Sequence, residues 1–114
     1  MDIQKEKRSG VTVVAPRGRI DSVTSSALEQ ALVQSLDAGE RRLVVDLTGV
    51  DFISSAGLRV LLVLAKRLGG GKGSVVLCSL SDPVRQVFEL AGFLSLFTIS
   101  PSRDLALEKA NATA

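Results

Sequence analysis

The sequence predicts an α/β fold: an N-terminal β-hairpin, then alternating strands and helices forming a mostly parallel sheet flanked by helices. Three observations carry that prediction. Val11-Thr12-Val13-Val14-Ala15 is a short β-branched run just after a Ser9-Gly10 turn signal. Leu43-Val44-Val45-Asp46-Leu47 and Val75-Val76-Leu77-Cys78 are near-continuous apolar runs, typical of strands covered on both faces. The segments around them carry helical apolar spacing over ~10–15 residues, which calls for right-handed crossovers between parallel strands.

The elements follow in order. An edge strand over Ile3 to Arg8 pairs with the run at Val11, and Pro16-Arg17-Gly18-Arg19 is expected to end the hairpin. Asp21 or Ser22 can cap a helix whose apolar residues Ala27, Leu28, Ala31, Leu32 and Leu36 keep the helical period. Gly39 stands where a left-handed C-terminal cap belongs. After the strand at Leu43 to Leu47, Thr48-Gly49-Val50-Asp51 reads as a loop. A second helix is expected from Ser55 to Leu68, stopped by Gly69-Gly70-Gly71. Ser81-Asp82-Pro83 opens a third helix, with Val84, Val87, Phe88 and Ala91 on one face and an end near Gly92. A last strand near Leu96 to Ile99 and a helix from Ser102 complete one domain over residues 1–114. Phe93, Leu94, Leu96 and Phe97 are expected to finish the core.

Composition excludes several kinds of function. The chain has 114 residues, of which 46% are hydrophobic, enough for a packed core. It has no histidine, so a Ser-His-Asp triad and His-ligated metal are excluded. One cysteine, Cys78, makes neither an internal disulfide nor a multi-thiolate zinc site. Aromatic readers of nucleic acid are scarce and the net charge is only +2, which argues against nucleic-acid binding. The charged start, Met1 to Arg8, lacks the apolar stretch of a signal peptide. Arg59, Lys66 and Arg67 interrupt the most apolar segment, so membrane insertion is not expected and a cytoplasmic protein is. Asn111-Ala112-Thr113 fits a glycosylation sequon by chance. No cofactor is called for.

Enzyme motifs fail on inspection. Ser55-Ala56-Gly57 matches half of a nucleophile elbow, but Ile53 fills the position of its first glycine. Gly69-Gly70-Gly71-Lys72-Gly73-Ser74 leads into a strand and lacks a Walker lysine followed by Ser or Thr. Asp46 at a strand end lacks the paired acids of a phosphoryl-accepting receiver. The expectation is a protein without catalytic residues.

In open parallel sheets, function collects at the carboxyl ends of the strands. Gly18 to Asp21 and Asp46 to Gly57 should meet there, placing Asp21, Asp51, Ser54 and Ser55 near one another. Ser55 stands at the start of the second helix, where exposed N–H groups and the dipole favour an anion. It can serve as a plain N-cap or as a phosphoacceptor, gaining about −1.5 to −2 charges beside the repelling Asp21 and Asp51. By chemistry alone Ser54 is an equally good cap. Along the helix, Leu58, Leu61, Leu62, Ala65 and Leu68 form one face at about 100° per residue. Val60 and Val63 lie on the other, broken by Arg59 and Arg67, with Leu64 on the flank. That second side is either packed by a neighbouring element or an apolar strip covered by a partner.

The run Asp46-Leu47-Thr48-Gly49-Val50-Asp51-Phe52-Ile53-Ser54-Ser55-Ala56-Gly57-Leu58-Arg59-Val60-Leu61-Leu62 resembles the signature of the STAS domain, the anti-sigma factor antagonist family. The likeness extends through Gly18-Arg19-Ile20-Asp21 and from Ser81 to Phe93, so it spans nearly the whole chain. It implies a STAS-like fold and a bacterial partner-switching role. In that role an unphosphorylated antagonist binds a serine kinase that is also an anti-sigma factor. Phosphorylation of one serine ends the complex, and a metal-dependent serine phosphatase restores it. The matching serine is Ser55, with Ser54 as the alternative. Asp21, Asp51, Ser54, Ser55, Gly57, Arg59, Val60 and Val63 are the implied partner-binding residues. The best-known pattern has aspartate before the acceptor and serine after it, where this chain has Ser54 and Ala56. The family also implies an alternative, a constitutive interaction module such as a phospholipid transport subunit or a signalling scaffold.

Overall fold

The computed structural model describes residues 1–112 of the chain; Thr113, the third member of the sequon, lies outside the described residues. The elements are β1 (Asp2–Arg8), β2 (Val11–Ile20), α1 (Thr24–Asp37), β3 (Arg42–Asp46), β4 (Val50–Ile53), α2 (Ser55–Arg67), β5 (Ser74–Cys78), α3 (Asp82–Leu90), β6 (Thr98–Ser100) and α4 (Arg103–Ala112), with a 3-10 turn at Leu94–Leu96. The sheet order is β1-β2-β3-β5-β6, and β4 pairs with β2. Only β1 runs antiparallel. This is the expected α/β architecture.

The hairpin turns on Ser9 and Gly10, both at positive φ (54° and 81°), the combination whose twist suits a two-residue hairpin. β1 is an edge strand whose exposed side chains are mostly charged. The hairpin pairing ends at Arg17, within the expected Pro16-Arg17-Gly18-Arg19 segment, but β2 itself runs on to Ile20. β2 pairs with β3 over Thr12 to Val14 and with β4 over Gly18 to Ile20. Pro16 falls in the gap between the two, where its missing N–H takes no bond from a parallel neighbour.

The correction here is β4. Val50-Asp51, expected as loop, opens a strand. Gly18 N–H donates to Gly49 O at 2.9 Å and Ser54 N–H to Ile20 O at 2.8 Å, so the upper half of β2 recruits this segment into the sheet. Long-range pairing thus overrides local loop composition. The pairing register passes from Gly18–Val50 to Arg19–Phe52, which leaves Asp51 as the extra residue of a bulge.

The crossovers from β2 to β3, β5 and β6 all step the same way along the sheet, so their helices share one face. On that side α1, α2 and α3 bury Leu28, Leu32, Leu61, Leu64, Val84 and Phe88 against the strands. On the other, Ala106 and Ala110 of α4 lie over Val11, Val13, Val44, Val76 and Cys78. Phe88 and Phe97 meet edge-on with centroids 5.6 Å apart. Phe93, Leu94 and Phe97 pack against the core as expected, whereas Leu96, in the 3-10 turn, stays half exposed. The last strand begins at Thr98, after that turn.

A charged network fastens α4. Arg103 Nε donates to Asp46 Oδ2 at 2.8 Å, and its Nη1 pairs with Glu6 of β1. Asp46 Oδ1 accepts from the Thr48 hydroxyl at 2.6 Å and the Thr48 N–H at 3.0 Å. Burial pushes the Asp46 carboxyl up, but these donors outweigh it and hold the group below its ordinary range. Beside it on β5, burial first and then the Asp46 charge push the Cys78 thiol up to about 11, so it stays protonated and inert.

Candidate functional site at the start of the second helix

The ends of β2 and β4 stand side by side, and the chain turns from β4 directly into α2. Ser54 is the last extended residue (φ −90°, ψ 172°), and its Oγ accepts the Gly57 N–H at 3.3 Å. Ser54 is therefore the N-cap, which settles the choice that chemistry left open. Ser55 is the first helical residue; it is exposed, and its hydroxyl makes no hydrogen bond among the described residues. The N–H groups of Ser55 and Ala56 are likewise open donors at the positive end of α2.

Gly57 fixes how deeply the helix start sits. A Cβ there would meet Ile20 Cγ2 at 2.5 Å and Ile53 Cγ1 at 2.8 Å, so only glycine lets α2 press against the ends of β2 and β4. Asp21 follows Ile20 directly and is turned by its own loop. Its Oδ1 accepts the N–H groups of Thr24 (2.9 Å) and Val23 (3.0 Å), which caps the first turn before α1. The Thr24 N–H, together with the Thr24 hydroxyl, outweighs desolvation and holds the Asp21 carboxyl below its ordinary value. Ser22, the other cap candidate, only accepts a bond from the Ser25 hydroxyl on its carbonyl.

The remaining predicted residues are more dispersed. Asp51, at the bulge, and Arg59, on the first turns of α2, are exposed and enter no ion pair among the described residues. Val60 favours the first of the two readings of that side of α2, packing by a neighbouring element. It is buried against α1, with Leu64, and only Val63 remains substantially exposed, at 43%. The reason is that α2 is wedged between the sheet and α1, so its buried arc is wider than a single stripe. One feature went unseen in the sequence: the Arg19 guanidinium lies 4.1 Å from the centre of the Phe52 ring. The pair becomes visible only once Phe52 is known to lie on a strand beside β2.

The arrangement is a helix start with open donors, pressed against the ends of β2 and β4. No group of three or more His, Cys, Asp or Glu side chains able to hold a metal converges among the described residues. No helix among them is long and apolar enough to cross a membrane.

Residues 2–106 match the model of the STAS domain, and the chain belongs to this family of anti-sigma factor antagonists. Among its relatives is BtrV of Bordetella bronchiseptica, 44% identical over 106 residues that cover 93% of this chain and 91% of that protein. A solved anti-sigma factor antagonist from Mycobacterium paratuberculosis has a TM-score of 0.89 at 33% identity, covering 96% of this chain and 93% of its own. The Bacillus cell fate determinant SpoIIAA, solved in its phosphorylated form, shares the fold at a TM-score of 0.71 and 17% identity, covering 95% of this chain and 98% of its own.

Proposed function

We propose that this chain is the antagonist in a bacterial partner switch. Unphosphorylated, it binds a serine kinase that also acts as the anti-sigma factor; phosphorylation of Ser55 releases it, and a metal-dependent serine phosphatase returns it to the binding form. The observation that carries the reading is the division of labour between the two serines: Ser54 spends its hydroxyl on the cap, while Ser55 presents an unbonded one to solvent.

A phosphoryl group on Ser55 leaves the Ser54 cap and the Gly57 contact untouched, so the fold persists in both states. It adds about −1.5 to −2 charges at one point of the surface, beside an Asp21 carboxylate that stays ionised. The open N–H groups of Ser55 and Ala56 favour the anion, and any partner surface shaped for a neutral hydroxyl is repelled. The chain then supplies no catalytic residue of its own; kinase and phosphatase supply the chemistry. The setting is cytoplasmic, with no nucleic acid and no membrane insertion required. Relatives named as antagonists and a fold relative solved in its phosphorylated form support the reading.

The test combines mass spectrometry with binding. Incubated with its kinase and ATP, the protein should carry phosphate on Ser55 and none on Ser54. Ser55→Asp should weaken kinase binding at least tenfold, or about 1.4 kcal/mol. Phosphate found only on Ser54, or a Ser55→Asp protein that binds as tightly as the parent, overturns the assignment.

A further inference from the structure

At the far end of α2 from Ser55, a second surface has the makings of a docking site. α1 and α2 lie side by side and leave between them an apolar groove of about 90 Å³, floored by Leu32, Leu36, Val60 and Leu64 and rimmed by Val33 and Val63. Leu36 and Arg67 also line a second concavity of about 290 Å³, completed by Arg41, Leu68 and Lys72, so the groove runs on into a basic pocket. At its other end stands Glu29.

The three cations of the pocket have no carboxylate partner. The ion pairs among the described residues use Lys7, Arg8 and Arg103, not Arg41, Arg67 or Lys72. Arg41 is held in place by neutral acceptors, its Nη1 donating to Leu36 O at 2.8 Å and Glu40 O at 3.0 Å, so its charge is fixed in position and uncompensated. Service to helix ends accounts for part of this. The C-termini of α1 and α2 each present about half a negative charge, roughly one together, against three cations. The surplus points outward.

We propose that this groove receives an acidic amphipathic helix of a partner protein. Its apolar face lies along Val33 and Val63, and carboxylates in its last turn meet Arg41, Arg67 and Lys72. The polarity of the groove fixes the direction: the negative C-terminal end of the incoming helix belongs at the basic pocket and its positive N-terminal end near Glu29. A narrow groove suits a helix better than a lipid surface, because Val63 is the only large apolar side chain of α2 exposed beyond 40%. Along α2, at about 1.5 Å per residue, Val60 of the groove lies about 7.5 Å from Ser55, whereas Arg67 at the basic pocket lies about 18 Å from it. The basic pocket does not depend on the Ser55 reading, although Val60 and Val63 of the groove are also among the residues that the family resemblance implies for partner binding.

The probe is a fluorescein-labelled designed helix with leucines along one face and glutamates in its last turn, titrated into the full chain. It should bind, shift the methyl NMR signals of Val33, Leu36, Val63 and Leu64, and lose at least about tenfold in affinity with Arg67→Glu or Lys72→Glu, both exposed positions. Ser55→Asp should leave its affinity unchanged, which separates this site from the switch. Four results overturn the proposal: no binding of the acidic helix, equal binding of a version ending in lysines, insensitivity to both charge reversals, or binding of the protein to phosphatidylglycerol vesicles in place of the peptide.

Discussion

Ser54 and Ser55 carry the same hydroxyl one position apart, and the backbone gives them different work. Ser54 is the last residue of the extended segment because its N–H is taken by Ile20 O. Its side chain can then fold back on the Gly57 N–H, whereas that of Ser55 starts inside the helix and points out. Ser54→Ala should therefore cost about 1 kcal/mol of unfolding free energy, the usual loss for a serine cap. Ser55→Ala should stay within about 0.5 kcal/mol of the parent, as surface changes do. Urea unfolding of the two variants side by side measures the contrast, and equal losses would contradict the geometry. Nothing in the local sequence separates these serines, because the bond that decides between them comes from a strand far away in the chain.

At the scale of the element, α2 depends on a glycine for its position. Gly57→Ala would place a methyl group within 3 Å of Ile20 and Ile53, both fully buried. Alanine gains up to about 1 kcal/mol in helix propensity, but overpacking costs about 1–3 kcal/mol. A net loss of about 1–2 kcal/mol in chemical denaturation is expected, with partner binding at the helix start weakened as well. Features with local causes were legible before the structure: the Ser9-Gly10 turn, the Asp21 cap, and Gly39, whose φ of +89° closes α1 with a bond from Glu40 N–H to Ser35 O. Features with distant causes were not. β4 exists because β2 pairs with it, and Val60 is buried because α1 lies across it. Periodicity could find a helix there, but it could not count its neighbours.

For the whole molecule, Asp46 is the residue on which the two sides of the sheet depend. Through Arg103 it joins β3 to α4, and through the same guanidinium to β1. Its folded pKa lies below the unfolded value, so its stabilisation is complete above about pH 4 and is lost as pH falls through the folded value. Asp21 and Glu40, also held low, add to the same acid dependence. Unfolding free energy should thus decline on acidification below about pH 4. Asp46→Asn should lower the plateau at neutral pH and make that decline shallower, as followed by denaturation across a pH series. A parallel shift of the whole curve, with its slope intact, would place the acid sensitivity elsewhere.

The outer strands of the sheet limit how this protein can meet others. One border is β1, with charge at five of its seven positions; the other is β6, only three residues long. A lengthy uncharged border would let a foreign chain extend the sheet through its backbone, whereas charged or very short ones discourage such addition. Strand recruitment, whether by a partner or by a second copy on the way to a fibre, is therefore discouraged at both ends. Recognition is left to the helices and the turns that launch them, where side chains rather than peptide groups do the reading and where the proposed phosphate on Ser55 would act.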